Sequence, residues 1–555
     1  MYSGGKASKR YRSPPKKWIE KLQKGNKFNK AQTAAIRRQL ILQSEDPSVY
    51  STLGALNGDD RSIKLDDSTN VGGLIPKIPN GRDAFKFDKF DPKARRVIYG
   101  FFHPFANAGG GGERVLWQAV KATLEASPVN IVAIYTCDYT SRESRCDMLN
   151  KAKDKFAINL IDQESIAKRI VFVYLPNRNY LTHSTYPIFT LLGQALGSAY
   201  VAYLGLFSLV PDVWIDTMGY PFAYPVVTAI ISVPIAAYVH YPLISSDMIS
   251  SISCNSVFNI GKYVYWKLFA LLYTWVGSYA SVVMTNSTWT NNHIQALWWW
   301  GLRKEHIRPV FPPCNTEELA TLTLDNRSDD VICIAQFRPE KRHDLIIEEF
   351  AKFLSCANLT SKPHLILTGS CRDEIDEATV SDLRVLARKH NLVDNEDISF
   401  VINPAWSEIK TLLSKASIGV NAMWNEHFGI VVVEYMAAGL IPVVHFSAGP
   451  RYDIVTPYND QVTGYHFTSV KDKSLSKDDN QVSSQSVSSS LSEALSLVYE
   501  LSSEEKMAVR QRGRDSVTKK FLEEEFDRQW IIRVNVLAKL EAVRRGQRVG
   551  RANYD

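Results

Sequence analysis

The chain has 555 residues, 45% of them apolar and 22% charged, with a formal net charge of +7. That is too long for one ordinary core, and the balance is that of a globular protein with two or three domains. Seven cysteines without a CxxC pair suggest no zinc site or disulfide framework and fit a reduced, cytosol-facing protein.

Residues 1–94 read as a weakly structured arm, rich in Lys and Arg at first and in Gly and Asp toward Pro92. Its start is polar and basic, with no apolar run of signal-peptide type. A solvated tail is the plain explanation, and attraction to anionic lipid is the second. Nucleic acid is not expected as a partner, because the arm lacks interleaved aromatics and any recognised motif.

From Arg96 short β-branched runs alternate with helical segments. Val97–Phe102, Val129–Thr136, Ile170–Leu175, Val213–Asp216, Ile235–His240 and Ser281–Thr285 read as buried strands of one parallel sheet. The first strand opens into Tyr99-Gly100-Phe101-Phe102-His103-Pro104-Phe105-Ala106-Asn107-Ala108-Gly109-Gly110-Gly111-Gly112-Glu113-Arg114. Four glycines there let the backbone approach a ligand closely, although a merely flexible turn explains them too. The run is neither a dinucleotide fingerprint nor a Walker loop.

Residues 188–210 carry no charge over twenty-three positions, long enough to span a bilayer. Their glycines and serines, and the core-like strand that follows, favour a buried or membrane-contacting helix. Residues 257–284, with Lys262 and Lys267 among aromatics, suit a helix lying in a membrane interface or packed inward. Trp214–Tyr220 ends a strand and is read as shaping the acceptor side. His240 ends the next strand, where a core histidine and a catalytic one look alike. Asn286–Thr290 is equally well a helix cap.

Arg308–Pro313 reads as an interdomain linker. A second alternating series follows: Val331–Gln336, His364–Thr368, Ile398–Ile402, Ser417–Asn421 and Ile441–His445. Just past its first strand, Arg338 and Lys341 offer two cations for a diphosphate, against a surface charge run as the bland reading. In residues 421–444, Glu426 and Glu434 flank His427-Phe428-Gly429 at a strand–loop–helix junction, with Gly439 as the stop. A fully helical run would set the two carboxylates roughly 12 Å apart along the axis, the reach from a sugar to a ribose. Two incidental acids in a βαβ unit are the alternative. Residues 470–490 read as a surface insertion, and Phe526–Arg545 as an amphipathic terminal helix.

These motifs together resemble the retaining GT-B glycosyltransferases. The strings F-F-H-P-F-A-N-A-G-G-G-G-E-R-V-L-W, W-I-D-T-M-G-Y, Y-V-H-Y-P and N-E-H-F-G-I-V-V-V-E-Y-M-A-A-G-L-I-P resemble the eukaryotic α-1,2-mannosyltransferase family of asparagine-linked glycosylation. The resemblance implies an α/β GT-B fold of two Rossmann-like, doubly wound domains facing an interdomain cleft. Its divisions would be an arm over 1–94, an acceptor and membrane domain over 95–312, a donor domain over 313–525, and a terminal helix over 526–555. It further implies transfer of the fourth and fifth mannoses from GDP-mannose, with retention, onto dolichyl-diphosphate-linked Man3GlcNAc2. The expected setting is the cytosolic face of the endoplasmic reticulum membrane, with its lipid and other early mannosyltransferases as partners.

Carried onto this sequence, Arg338 and Lys341 hold the diphosphate, Glu426 the transferred mannose and Glu434 the ribose. The backbone at Phe428, Gly429 and Ile430 meets sugar and phosphate, Gly110, Gly111 and Gly112 line the donor site, and His240 lies beneath the reacting sugar. No cofactor or metal is implied, in keeping with the lack of an Asp-x-Asp pair near a strand end. One departure is the basic start, where relatives commonly carry a hydrophobic anchor. A related enzyme using another sugar nucleotide and a non-catalytic lipid-bound scaffold are the competing readings.

Overall fold

The computed structural model describes residues 96–139, 142–244, 256–300, 306–356, 362–371, 374–469, 472 and 487–552. The basic arm and most of the 470–490 insertion lie outside them. Contacts divide the chain into two units. The first holds the chain through Thr285, Asn291–Val310 and everything from Asp527; the second holds Asn286–Thr290 and Phe311–Phe526.

Each unit is built on a seven-stranded parallel sheet. The first contains β1 (Val97–Phe102), β2 (Asn130–Thr136), β3 (Ile170–Tyr174), β4 (Val213–Asp216), β5 (Ile235–Val239), β6 (Val282–Thr285) and β7 (Ile307–Pro309), in the order β3-β2-β1-β4-β5-β6-β7. The second repeats that order with β8 (Val331–Ile334), β9 (Leu365–Gly369), β10 (Ile398–Ile402), β11 (Ile418–Asn421), β12 (Ile441–His445), β13 (Tyr465–Phe467) and β14 (Val487–Ser488), as β10-β9-β8-β11-β12-β13-β14. Helices cover both faces, so the central strands are buried on each side and carry unbroken apolar runs such as Val331-Ile332-Cys333-Ile334. Arg308 and Pro309, read from sequence as linker, instead finish an edge strand, the position a sheet tolerates for proline.

In both sheets the strand order reverses between the first strand and the fourth. Crevices open at the carboxyl ends of strands beside such a reversal. Every site residue singled out in the sequence, Glu434 aside, follows β1, β5, β8 or β11, or begins the helix that comes next.

The first apolar stretch forms α2 (Thr190–Ser208), after α1 (Gly111–Glu125); the second forms α3 (Val257–Gly277). α2 is long and apolar enough to cross a membrane, yet Ala195, Val201, Ala202 and Leu206 on one face are buried in the core of the first unit. The hydroxyl of Tyr265 on α3 accepts from the Leu192 backbone N–H at 3.2 Å, and its ring meets Phe189 edge-on. The outward faces are apolar: Ile188 is 73% exposed, Val257 88% and Phe258 80%, with Leu196, Leu268 and Leu271 also exposed.

The second unit buries two histidines. His343 begins α4 (His343–Cys356) and stacks on Phe337; His466 on β13 has its Nε2 2.9 Å from the Val455 carbonyl. Burial, aided by Lys341 beside one and by Arg451 and His445 beside the other, pushes each down to about 4. In the unfolded chain both take up protons near pH 6.5, so between pH 6.5 and 4 the unfolded state binds more protons and stability falls as pH falls. Each histidine is expected to cost about 3 kcal/mol by pH 4, most of it below pH 6. Urea midpoints measured from pH 7 to 5 should decline, and His343→Phe should flatten that decline. An unchanged slope would contradict the assignment.

Candidate functional site

The residues expected to hold the donor lie in the second unit, at the ends of β8 and β11. After β8 the chain turns at Ala335, whose N–H donates to Thr368 O at 2.9 Å. The neighbouring Gly369 has no room for a Cβ against the Ala335 carbonyl, so these two strand ends approach as closely as backbone can. Arg338 is extended, Pro339–Lys341 form one 3-10 turn, and Arg342 is left-handed at φ +57°. Arg338 is half-buried. The turn aims Lys341 at the loop beyond β11, where its Nζ donates to Glu426 Oε2 at 2.6 Å.

Glu426 also faces Asn421 Nδ2 at 3.4 Å, from the last residue of β11. The Lys341 and Glu426 side chains are 23% and 15% exposed, so water screens the pair little. Burial alone would raise the Glu426 carboxyl. The Lys341 charge and hydrogen bond, with His427 and Asn421, hold it below the usual carboxylate range. A carboxylate in that state is a weak base and remains an anion at neutral pH.

The stretch from Glu426 to Glu434 is not helical throughout. Asn425 is left-handed at φ +56° and Gly429 sits at φ +102°, a conformation that favours glycine; α5 runs only over Ile430–Ala438. Glu426 therefore stands in the loop and Glu434 on the helix, and the 12 Å axial figure does not apply. Gly439, left-handed at φ +87°, ends α5 as expected. Phe428 is a core side chain stacked near Phe311 and Phe521, which leaves only its backbone to meet a ligand. Gly429 and Ile430 form the start of α5, whose free N–H groups favour an anion.

Behind this pair runs a polar chain that the sequence did not reveal. Arg342 donates to both oxygens of Asp472 at 3.1 Å, Asp472 lies 2.7 Å from His445 Nε2, and His445 Nδ1 lies 2.9 Å from Ser447 Oγ. Ser447 Oγ accepts the Asn425 N–H at 2.8 Å, next to Glu426. Burial opposes ionisation of Asp472, but His445 and Arg342 keep its carboxyl below the usual range. The signal lay in His445 at a strand end; Asp472 was hidden in a Ser- and Lys-rich stretch.

The remaining residues singled out in the sequence, the glycine turn and His240, lie in the first unit. β1 ends at Phe102, and Gly109, left-handed at φ +77°, turns the chain into α1. Gly110 is the N-cap of that helix, and the Glu113 carboxylate reaches back to accept its N–H. Gly111 is exposed and Gly112 half-buried. A Cβ on Gly112 would lie 3.8 Å from His240 Nε2, so the structure brings the glycine turn and His240 together. His240 Nε2 is 3.0 Å from the Thr217 carbonyl.

Asp216, in the segment read as shaping the acceptor side, is fully buried and turned inward to its own loop. Ser287 does cap a helix: its Oγ accepts the Thr290 N–H at 3.1 Å.

Residues 96–298 match the family model described as ALG11 mannosyltransferase N-terminus, and residues 315–495 match Glycosyl transferases group 1. The chain is 43% identical to the GDP-Man:Man(3)GlcNAc(2)-PP-Dol alpha-1,2-mannosyltransferase of Yarrowia lipolytica, over 98% of this chain and 91% of that protein. It is 38% identical to the Xenopus laevis protein of the same name, over 80% and 87%. Among solved structures it resembles the trehalose 6-phosphate synthase of Burkholderia multivorans, with TM-score 0.55 and 11% identity over 80% and 99% of the two chains. A glycosyltransferase from Rickettsia africae gives TM-score 0.51 and 13% identity over 80% and 98%. At those identities the likeness concerns the fold alone, which is the GT-B class of two Rossmann-like units.

Proposed function

The chain belongs to the family of GDP-Man:Man(3)GlcNAc(2)-PP-Dol alpha-1,2-mannosyltransferases, and from that membership we propose what its candidate site residues do. The protein is a GDP-mannose-dependent α-1,2-mannosyltransferase acting on dolichyl-diphosphate-linked Man3GlcNAc2. In the reading proposed, Arg338 and Lys341 bind the GDP diphosphate, Glu426 a mannose hydroxyl and Glu434 the ribose. The backbone of Phe428, Gly429 and Ile430 meets the sugar and phosphate. Gly110, Gly111 and Gly112 approach the donor, and His240 lies beneath the reacting mannose.

The observation that carries this reading is the 2.6 Å contact between Lys341 and Glu426, 85 residues apart, beside the strand-order reversal. Glu426 orients Lys341 and keeps a cation at the end of β8, where a diphosphate would gather negative charge. In the proposed step the C1–O bond to GDP breaks, and the acceptor 2-hydroxyl oxygen bonds C1 on the same face. Its proton passes to the departing phosphate oxygen while Arg338 and Lys341 offset the new charge. The depressed Glu426 carboxyl is a poor proton acceptor, which speaks against it as the general base. Two such transfers would add the fourth and fifth mannoses. Incubation with GDP-mannose and lipid-linked Man3GlcNAc2, then digestion with an α-1,2-specific mannosidase, tests the assignment; a product resistant to that enzyme overturns it.

The acceptor's lipid belongs to the endoplasmic reticulum membrane, and we place the protein on its cytosolic face. The outward apolar faces of α2 and α3 support this, with Lys262 and Lys267 lying over Trp266 and Tyr263 on α3. The protein is expected to sediment with vesicles and to resist a high-salt wash. A triple substitution Phe258→Glu, Leu268→Glu, Leu271→Glu should move it to the supernatant at unchanged melting temperature. Release of the wild type by salt alone would show that these faces contribute little.

A further inference from the structure

The loop after β4 is tied closely to a carboxylate at the end of that strand. Asp216 is fully buried and accepts from four donors: the N–H groups of Met218 and Gly219 at 2.9 Å, that of Tyr220 at 2.6 Å, and the Tyr224 hydroxyl at 2.7 Å. Gly219, at φ +85°, lets the chain curl around the carboxylate. The residue this clamp fixes is Thr217, itself fully buried.

Thr217 faces two histidines. Its Oγ1 lies 2.8 Å from His103 Nδ1, and its carbonyl lies 3.0 Å from His240 Nε2. His103 is in turn 3.7 Å from Glu113, the acid that caps the glycine turn, and a Cβ on Gly112 of that turn would lie 3.8 Å from His240 Nε2. The contacts close a ring: glycine turn, Glu113, His103, Thr217, His240, and back to the turn.

We propose that Thr217 is a positioning residue that couples the glycine turn to His240 and sets the tautomer of the His240 ring. A carbonyl only accepts, so Nε2 carries the proton and the lone pair of the neutral ring resides on Nδ1. The hydroxyl of Thr217, anchored on His103, keeps the carbonyl in register with the turn that His240 touches. Asp216 acts one step further back, by holding the loop.

This inference rests on the reading that His240 serves the reacting sugar, and the test separates the two. Thr217→Val keeps β-branching and volume but removes the hydroxyl. It is expected to lower kcat about tenfold, the size of one lost buried hydrogen bond, with KM for GDP-mannose unchanged. Thr217→Ser should recover most of the rate. In a His240→Ala background the same substitution should cost nothing further, because the ring it positions is gone. If Asp216→Asn fails to fold, Tyr224→Phe removes one clamp donor and should lower kcat in the same direction. Wild-type kcat in Thr217→Val, or an equal loss with and without His240, overturns the positioning role. Full turnover by His240→Ala removes the reading beneath it instead.

Discussion

Glu426→Gln is expected to lower turnover by about 10²- to 10³-fold, the loss typical when one preorganised polar group leaves a transition-state site. The amide keeps the shape of the side chain and accepts from Lys341, but it no longer supplies the negative charge that aims the ammonium. Folding should survive, because Lys341 is 23% exposed and can turn to water. The check is kcat with near-saturating acceptor beside a thermal melt. Wild-type turnover in a folded variant would take Glu426 out of the site.

Lys341→Ala is expected to be the more damaging change. It removes the proposed diphosphate contact and strands a mostly buried carboxylate. Breaking a buried pair from one side costs about 3–5 kcal/mol, and with Glu426 15% exposed the lower figure is the ceiling. The sign of the pH effect follows from the wild type. There the folded pKa of Glu426 is depressed, so its stabilisation is complete above the unfolded value of 4.5 and is lost as pH falls through the lower folded value. Without Lys341 burial dominates, the pKa rises, and the carboxylate protonates before the pH has fallen as far. The residual activity of Lys341→Ala should therefore show an acid limb displaced upward in pH. An acid limb at the wild-type position would mean that Lys341 does not govern this carboxyl.

Much of the fold was legible because strands buried on both faces must be apolar throughout. Val97–Phe102, Val213–Asp216 and Ile441–His445 come out at the bounds their sequences suggested, and so does the edge strand Ile398–Ile402. The edge strands at the other ends of the two sheets did not: β7 holds three residues including a proline, and β14 holds two beside a polar insertion. A strand that short pairs because its neighbour is already in place, which local composition does not encode. In the site, Arg338, Lys341 and Glu426 were visible as charges just past strand ends, and the strand order explains why Lys341 and Glu426 meet. Thr217 showed only as a member of the Trp214–Tyr220 segment, and Asp472 not at all. One acts through its carbonyl and a hydroxyl on a histidine 114 residues away, and the other is an ordinary acid until His445 and Arg342 close on it.

The helix Glu523–Ala552 has a consequence for biosynthesis. From Asp527 onward it belongs to the first unit: Trp530 donates from its indole to Thr123 Oγ1 at 2.8 Å and lies near Phe101, while Asp527 accepts from Gln118. A nascent chain that has cleared the ribosome only as far as residue 526 has released every residue of the second unit, yet the earlier-made sheet still lacks the tryptophan that fills its core. Vectorial order is thereby inverted. The half translated first is the one that must wait, and its unsealed apolar surface is the moment at which chaperones would be needed most.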